Sequence, residues 1–353
     1  MADIHSLESK LGPEIRNTGL RSREIDAIKG ILIVCIALGH NGHFPAGVPF
    51  LYAFHVAGFL ILPFLLPIGP LSTQFVRDRA VRYLVPYLAF SSLCIVLYPF
   101  VAPDWKPVDV LGVFLASALS IKAATGFELY WFLPCFFMLT VLRALRVQLS
   151  SGAGWLLLGI AVSINAGVGW LSAEQLFYSP FGLATALFMY PLGVGAAWLW
   201  RVGRSRRTVT GAVAVAVWAA CAVVLYQVDS SANVGRLRVY WIGQPVEWLI
   251  HNLIPVAAFL AFCSLAPMLT RVPGLARLGR HSLTIYLVHS LVSQALRMAF
   301  DLDPQRLGLV LGVLLLGLIL AISDQFATVL ERVTPLRRLI MPRDAKEWPL
   351  LRS

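Results

Sequence analysis

The segment REIDAIKGILIVCIALGHNGH, residues 23–43, decides how this chain folds. It opens with charged residues, continues after Gly30 as an apolar run, and reaches His40 ten residues later. Such a run is too short to cross the hydrocarbon core of a bilayer, for which a helix needs about 20 residues. The helix from Lys29 to His40 would be about 16 Å long. If Lys29 lies at the inner surface, His40 is predicted to lie near the middle of the membrane.

The residues after His40 cannot continue a regular helix, because they include Gly42, Pro45, Gly47 and Pro49. At this depth, non-helical backbone and an ionisable side chain are tolerated only where protein or a water-filled cavity surrounds them. We therefore predict a polar cavity at His40. The same residues allow an alternative, in which His40 and His43 form an outer helix cap and a surface loop.

The rest of the chain is also apolar, with 58% hydrophobic residues over 353 positions and a mean hydropathy of +0.75. We predict an all-α, polytopic membrane helix bundle of about ten transmembrane helices. The bundle would occupy residues 27–327, between an N-terminal tail of 1–26 and a basic C-terminal tail of 328–353. The predicted crossings are residues 27–46, 50–69, 82–102, 128–146, 154–172, 178–200, 208–227, 249–269, 281–300 and 305–327. The shorter apolar stretch 108–121 is predicted to be an interfacial or re-entrant helix.

The positions of Lys and Arg predict the orientation, since cytoplasmic segments carry the excess of these residues. With both termini in the cytoplasm, only six of the 29 Lys and Arg residues fall outside it. Those six are Lys106, Lys122, Arg236, Arg238, Arg297 and Arg306. The net charge of +11 thus mainly reflects topology. It predicts no nucleic-acid partner, because there is no soluble basic domain to bind one.

Two more histidines are predicted at a similar depth, His55 early in the second crossing and His289 in the ninth. Ser282 and Tyr286 share a helix face with His289 by their spacing, which is equally typical of packing contacts. Three deep imidazoles could suggest a metal site. We predict none, because no carboxylate stands at ligand spacing and no HxxxH or HExxH pair occurs.

Several motifs, in this order, resemble the acyltransferase-3 family of integral membrane O-acyltransferases, most closely its fucose 4-O-acetylase-like sugar acetyltransferase branch. They are Ile25-Asp26-x-x-Lys29-Gly30 with His40, Phe54-His55, Arg79-x-x-Arg82-x-x-x-Pro86-Tyr87, Trp131-Phe132-Leu133-Pro134, and Gly279-x-x-Ser282-Leu283-x-Ile285-Tyr286-Leu287-x-His289. The family usually has Arg at the position of Lys29. It also continues the second motif with Met-Pro, where this chain has Val56 and Ala57.

The resemblance implies transfer of an acetyl group from cytoplasmic acetyl-CoA to a hydroxyl of a carbohydrate or glycolipid acceptor, in the bacterial inner membrane. Acetyl-CoA would be a co-substrate, with no permanently bound cofactor. His40 is the predicted catalytic residue, acting as a general base or forming an acyl intermediate. The residues predicted to bind acyl-CoA are Lys29, Arg79 and Arg82, with Asp26 orienting Lys29 or a neighbouring Arg. The residues predicted to contact the acceptor or line the cavity are His55, Glu128, Trp131, Ser282, Tyr286 and His289.

Other interpretations of these patterns stay open. Arg79 and Arg82 could mark topology alone, and Trp131 could belong to the aromatic belt at the membrane surface. A transporter or exporter of a carbohydrate-like substrate would also carry polar residues at mid-membrane, although we find no inverted repeat. A scaffold without chemistry would not explain three deep histidines. The sequence does not define the acceptor sugar, the length of the acyl group or the oligomeric state.

Overall fold

The computed structural model describes residues 22–40, 51, 53–101, 128–167, 180–228, 245–302 and 307–351. Of the described residues, 88% are helical and none form strands, which confirms the predicted all-α class. The helices are α1 Ser22–His40, α2 His55–Ile61, α3 Thr73–Val101, α4 Phe132–Gln148, α5 Ser151–Gly167, α6 Leu183–Gly203, α7 Arg207–Val228, α8 Pro245–Leu269, α9 Leu275–Arg280, α10 Ser282–Phe300, α11 Leu309–Arg332 and α12 Thr334–Ile340. Short 3₁₀ turns occupy Leu62–Leu65, Glu128–Trp131, Pro180–Gly182, Arg204–Arg206 and Pro349–Leu351.

Each predicted crossing overlaps a helix, but several boundaries differ. Helix α1 begins at Ser22, five residues before the predicted start at 27, and the predicted residues 41–46 lie outside the described part of the chain. Helix α3 begins at Thr73, nine residues before the predicted start at 82, because Ser72 Oγ accepts a hydrogen bond from the backbone N–H of Phe75 and so caps it. The predicted helix at 108–121, the tail before residue 22, and His43 lie outside the described residues.

Four helical stretches in the described part of the chain are long and apolar enough to cross a bilayer. They are Pro180–Val224, Asn252–Leu269, Ser282–Phe300 and Leu309–Arg332. The first includes α6 and most of α7, and therefore covers two of the ten predicted crossings. Large apolar side chains such as Val310 and Leu314 are exposed along α11, as expected for a surface that faces lipid. The count of ten crossings and the cytoplasmic placement of both termini stay predictions.

The chain divides into two compact units. One includes Leu66–Pro191 and Leu330–Ser353, and the other includes Asn17–Leu65 and Leu192–Val329. We call them the RxxR unit, after Arg79 and Arg82, and the histidine unit, after His40, His55 and His289.

Helix α1 is the centre of the histidine unit, where it packs against α2, α8, α9 and α10. Its side chains Ala27, Ile28, Leu32 and Ile33 are all fully buried. Helix α2 lies close to α1 at Gly58, because a Cβ at that position would stand 2.7 Å from Leu32 Cδ2. A helix surrounded on several sides by other helices is held in one orientation, which fixes where the residue at its end points.

Helices α1 and α9 touch backbone to backbone at a pair of glycines. A Cβ on Gly30 would collide with the carbonyl oxygen of Leu275, and a Cβ on Gly279 would collide with the carbonyl oxygen of Asp26. Small residues allow such close approach between membrane helices, where dispersion contacts replace the hydrophobic effect as the source of association. The glycines of the first and last family motifs therefore meet in the structure.

In the RxxR unit, α3 packs against α4 and α12. Arg143 of α4 donates a hydrogen bond from Nη2 to the carbonyl oxygen of Leu66 at 2.9 Å. The segment after α12 is also bound to α3, because the backbone N–H of Ala345 donates to Asp78 Oδ1 at 3.0 Å. The predicted C-terminal tail therefore contains a folded segment; its cytoplasmic location stays a prediction.

Arg207, the first residue of α7, connects α1 with α8 in the histidine unit. Its Nη1 lies 3.2 Å from Glu24 Oε1, and its Nη2 and Nε donate to the carbonyl oxygens of Cys263 and Ser264 at 2.5 and 3.1 Å. Pro267 lies four residues after Cys263 within α8 and has no N–H, so the carbonyl of Cys263 loses its helical partner. Arg207 supplies the missing donor and also neutralises the buried carboxylate of Glu24.

We expect Arg207→Met to lower the free energy of unfolding by about 3 kcal/mol, because it leaves the Glu24 carboxylate and the Cys263 carbonyl buried without this donor. Adding Pro267→Ala should recover about 1 kcal/mol by restoring the helical N–H. The measurement is thermal unfolding of both single variants and the double variant in detergent. Strictly additive effects would contradict the assigned link between Arg207 and Pro267.

Candidate active site

Three imidazoles from three helices come together in the histidine unit. His40 is the last residue of α1, His55 is the first of α2, and His289 lies near the middle of α10. The ring centroid of His40 lies 5.2 Å from that of His289 and 6.4 Å from that of His55. The sequence had placed these residues at a similar depth, and the structure brings their rings into one cluster.

His40 and His289 are joined by a hydrogen bond. The Nδ1 atom of His40 lies 2.9 Å from Nε2 of His289, and the two ring planes differ by only 16°. The two ring centroids are 5.2 Å apart, which exceeds the 2.9 Å between the nitrogens by about twice the radius of an imidazole ring. Both nitrogens must therefore lie on the line that joins the centroids, and the rings meet edge to edge. In this arrangement the lone pair of one nitrogen points along the N–H of the other, as a hydrogen bond requires.

Backbone carbonyls hold the other two rings. Nδ1 of His289 lies 2.8 Å from the carbonyl oxygen of Tyr286 and 3.0 Å from that of Ile285. Nδ1 of His55 contacts the carbonyl oxygen of Leu51. Both side chains are fully enclosed, with 0% exposure for His55 and 1% for His289. Each ring is therefore bound to its own or the adjoining helical turn and cannot rotate freely.

Apolar and aromatic groups surround part of the cluster. The ring of Phe54, next to His55, packs edge-on against Trp218 at 5.0 Å and against Phe262 at 5.6 Å. Tyr286 lies 6.2 Å from His289, and both Tyr286 and Ser282 are buried on the histidine side of α10. The shared face predicted for Ser282, Tyr286 and His289 therefore points into the unit. In the part of the chain that is described, no group of three or more His, Cys, Asp or Glu side chains is placed to hold a metal ion.

The charged residues of the first motif lie in the N-terminal half of α1, whereas His40 is its last residue. Lys29 Nζ forms an ion pair with Asp26 Oδ1 at 2.7 Å, one helical turn away, and both side chains are partly exposed. The carbonyl of Asp26 is also the point where Gly279 of α9 packs. The contact between Asp26 and Lys29 is the one expected of an orienting carboxylate, while their roles in binding stay a prediction.

A second polar cluster was not predicted. Asp324 of α11 accepts from His281 Nδ1 at 2.6 Å through Oδ1 and pairs with Arg277 Nη2 at 2.7 Å through Oδ2. These contacts tie α9, through Arg277, and the turn at His281 to α11. The sequence did contain a signal, because Asp324 stands in an apolar stretch where a lone carboxylate is costly unless it is paired.

The remaining predicted site residues belong to the RxxR unit. Arg79 and Arg82 lie one turn apart on α3, with their guanidinium carbons 5.1 Å from the Phe75 ring and 5.9 Å from the Tyr83 ring. Arg82 is exposed and Arg79 is half-buried.

Two predicted residues stand at the start of the fourth crossing. Trp131 ends the 3₁₀ turn Glu128–Trp131 and packs edge-on against Phe132, with ring centroids 6.4 Å apart. Its indole is partly exposed. Glu128 opens the same turn, and its side chain lies outside the described atoms. The contacts of Trp131 fit an acceptor site and an aromatic belt equally well.

Comparison with known proteins identifies the family. The chain matches the acyltransferase-3 family, described as an acyltransferase domain, over residues 22–324. No significant match occurs among curated proteins or among solved structures. The matched region begins with α1 and ends at Asp324, so it includes all three histidines, the glycine pair and the arginines of α3. The chain therefore belongs to the acyltransferase-3 family of membrane acyltransferases.

Proposed function

We propose that the protein is an O-acetyltransferase that moves an acetyl group from cytoplasmic acetyl-CoA to a sugar hydroxyl of a cell-surface or secreted glycan or glycolipid. The observation that carries the proposal is the position of His40. In a chain of this acyltransferase family, it is the last residue of α1 and is hydrogen-bonded to the buried His289. An imidazole held in this way can take a proton from a hydroxyl near neutral pH.

The proposed reaction proceeds through His40 as general base. The acceptor O–H bond breaks as its proton moves to the imidazole, and the oxygen forms a bond with the thioester carbon. The C–S bond then breaks, and CoA leaves as the thiol after the imidazole returns the proton. General-base catalysis removes the proton of the hydroxyl as the oxygen attacks, which a weak nucleophile such as a sugar hydroxyl requires.

Three cations are the proposed residues for binding the phosphates of CoA. Lys29 carries one such charge, and Arg79 and Arg82 carry two on one face of α3. His55, Ser282, Tyr286, Glu128 and Trp131 are the proposed residues for lining the cavity or contacting the acceptor.

We also place the protein in the bacterial inner membrane, with about ten crossings and both termini in the cytoplasm, in the fucose 4-O-acetylase-like branch of its family. This topology lets the donor enter from the cytoplasm. Reporter fusions at the two termini and within residues 229–244 test it, because the third position should report the opposite side.

The test of function uses the full chain in nanodiscs with labelled acetyl-CoA and a glycolipid extract. We expect free CoA thiol and alkali-labile label on a glycan to appear in equal amounts. If the thioester is consumed no faster than in a protein-free control, the result would instead support a transporter or exporter. Label that resists mild alkali would contradict an O-ester product. Loss of one acetyl unit from the surface glycans of a deletion strain would then identify the acceptor.

Charge reversal at Arg79 or Arg82 is expected to raise KM for acetyl-CoA by about 10-fold or more, with a smaller effect on kcat, because each would remove a charge-assisted contact to phosphate. The measurement is steady-state kinetics with varied acetyl-CoA. Arg77→Glu is the matched control, since Arg77 lies on the opposite face of α3 and is exposed. An equal rise in KM for all three variants would contradict a specific phosphate contact.

A further inference from the structure

The hydrogen bonds of His289 define which of its nitrogens carries the proton. Its Nδ1 faces two backbone carbonyl oxygens, those of Ile285 and Tyr286, and a carbonyl oxygen can only accept. Nδ1 must therefore be the N–H donor. A neutral imidazole has one donor and one acceptor, so Nε2 of His289 carries a lone pair. The neutral form is the expected one, because the side chain is 1% exposed and a buried charge is costly.

This assignment determines the state of His40. Its Nδ1 lies 2.9 Å from Nε2 of His289, and an acceptor on one side requires a donor on the other. The nearly coplanar, edge-to-edge rings satisfy the directional requirement of such a bond. Nδ1 of His40 is therefore protonated, and in the neutral ring the lone pair lies on Nε2.

We propose that His289 is a positioning residue that holds His40 in the Nδ1–H tautomer and so makes Nε2 of His40 the basic nitrogen. The catalytic consequence rests on the proposed function. The hydrogen bonds form a chain with one direction: Nδ1–H of His40 donates to Nε2 of His289, and Nδ1–H of His289 donates to the carbonyl oxygens of Ile285 and Tyr286. These carbonyls belong to the helical turn that precedes His289 on α10 and therefore fix the direction of the chain. A histidine thus has the role that a carboxylate has in a Ser-His-Asp triad.

The hydrogen bond between His40 and His289 also stabilises the imidazolium form of His40 that arises during the proposed reaction. When the acceptor O–H breaks and its proton moves to Nε2 of His40, the ring becomes an imidazolium. The existing Nδ1–H donor then carries part of a positive charge, and its bond to the lone pair on His289 becomes charge-assisted and stronger. When Nε2 returns the proton to the departing thiolate, both rings regain their starting forms. His289 exchanges no proton with the substrates.

The direct test is ¹⁵N NMR of the full chain in nanodiscs, with labelled histidine. The signals of His40 are identified as those lost in His40→Gln. We expect His40 of the wild type to carry its proton on Nδ1. In His289→Leu the acceptor of that proton is absent, so His40 should populate both the Nδ1–H and the Nε2–H tautomers. His55 is the internal control, since its Nδ1 is bound to the carbonyl of Leu51 and should keep its tautomer. Wild-type His40 protonated on Nε2 would overturn the proposal.

Kinetics supply the second readout. We expect His289→Leu to lower kcat by about 10²-fold with little change in KM for acetyl-CoA. His289→Gln should restore most of kcat, because its amide oxygen reaches the position of Nε2 and can accept from His40. A Gln variant as slow as the Leu variant, at equal thermal stability, would overturn the proposal.

The two hypotheses fail in different ways. The tautomer is measured without any acyl transfer, so an inactive protein with His40 protonated on Nδ1 would refute the proposed function alone. An active enzyme with His40 protonated on Nε2 would refute the positioning role alone.

Discussion

His40→Gln is expected to reduce the rate of acetyl transfer by about 10²–10⁴-fold, the range that general acid–base catalysis contributes. Glutamine is close to histidine in size and can still donate to Nε2 of His289. It cannot take a proton from a hydroxyl, however. The loss should therefore appear in kcat, while KM for acetyl-CoA should change little, because Lys29 and the arginines of α3 are unaltered.

Turnover of this variant is measured by release of CoA thiol in nanodiscs. Its thermal unfolding midpoint, compared with that of the wild type, separates lost chemistry from lost folding. Near-wild-type turnover in a stable His40→Gln protein would contradict its role as a base. A variant that releases CoA once and then stops would instead favour another residue as acyl carrier.

Gly279→Ala is expected to destabilise the protein by about 3 kcal/mol or more, since its Cβ would collide with the carbonyl oxygen of Asp26 and lie 2.8 Å from the backbone nitrogen of Gly30. Backbone atoms cannot move aside as a flexible side chain can. Helices α1 and α9 would have to separate, and α1 carries His40. Both thermal stability and acetyl transfer should therefore fall, as measured by unfolding in detergent and by thiol release.

Gly317→Ala is the matched control for this change. Gly317 lies within α11 of the same unit, and a Cβ there would meet no atom within 4 Å. Alanine is the better helix former, so the control should be neutral or stabilise by up to about 1 kcal/mol. Equal losses in the two variants would indicate a general sensitivity to helix substitutions and would contradict a specific backbone contact.

The sequence predicted the main features of α1 because they depend on local properties. The apolar run that follows Lys29 predicted a helix leading to His40, and α1 is continuous from Ser22 to His40. The ring of His40 contacts His289 within the histidine unit, while the alternative of a surface loop at His43 lies outside the described residues. The face shared by Ser282, Tyr286 and His289 also followed from helical spacing alone.

Contacts between distant parts of the chain could not be predicted in this way. The pair of Glu24 and Arg207 spans 183 positions, and each residue alone looked like an ordinary charge at a helix end. The bond between His281 and Asp324 is likewise a property of packing, not of spacing. A lone carboxylate in apolar sequence indicates that a partner exists, but it does not identify the partner.

One consequence follows from the continuity of α1. Lys29 and His40 are eleven residues apart on an uninterrupted helix, which is almost a whole number of turns, so both lie on the same side of it. Adding or deleting one residue between them would swing His40 around the axis by about 100° and move it by about 1.5 Å. The imidazole would then turn away from its partner on α10. Relatives that use the same chemistry should therefore conserve this interval even where the apolar residues inside it vary.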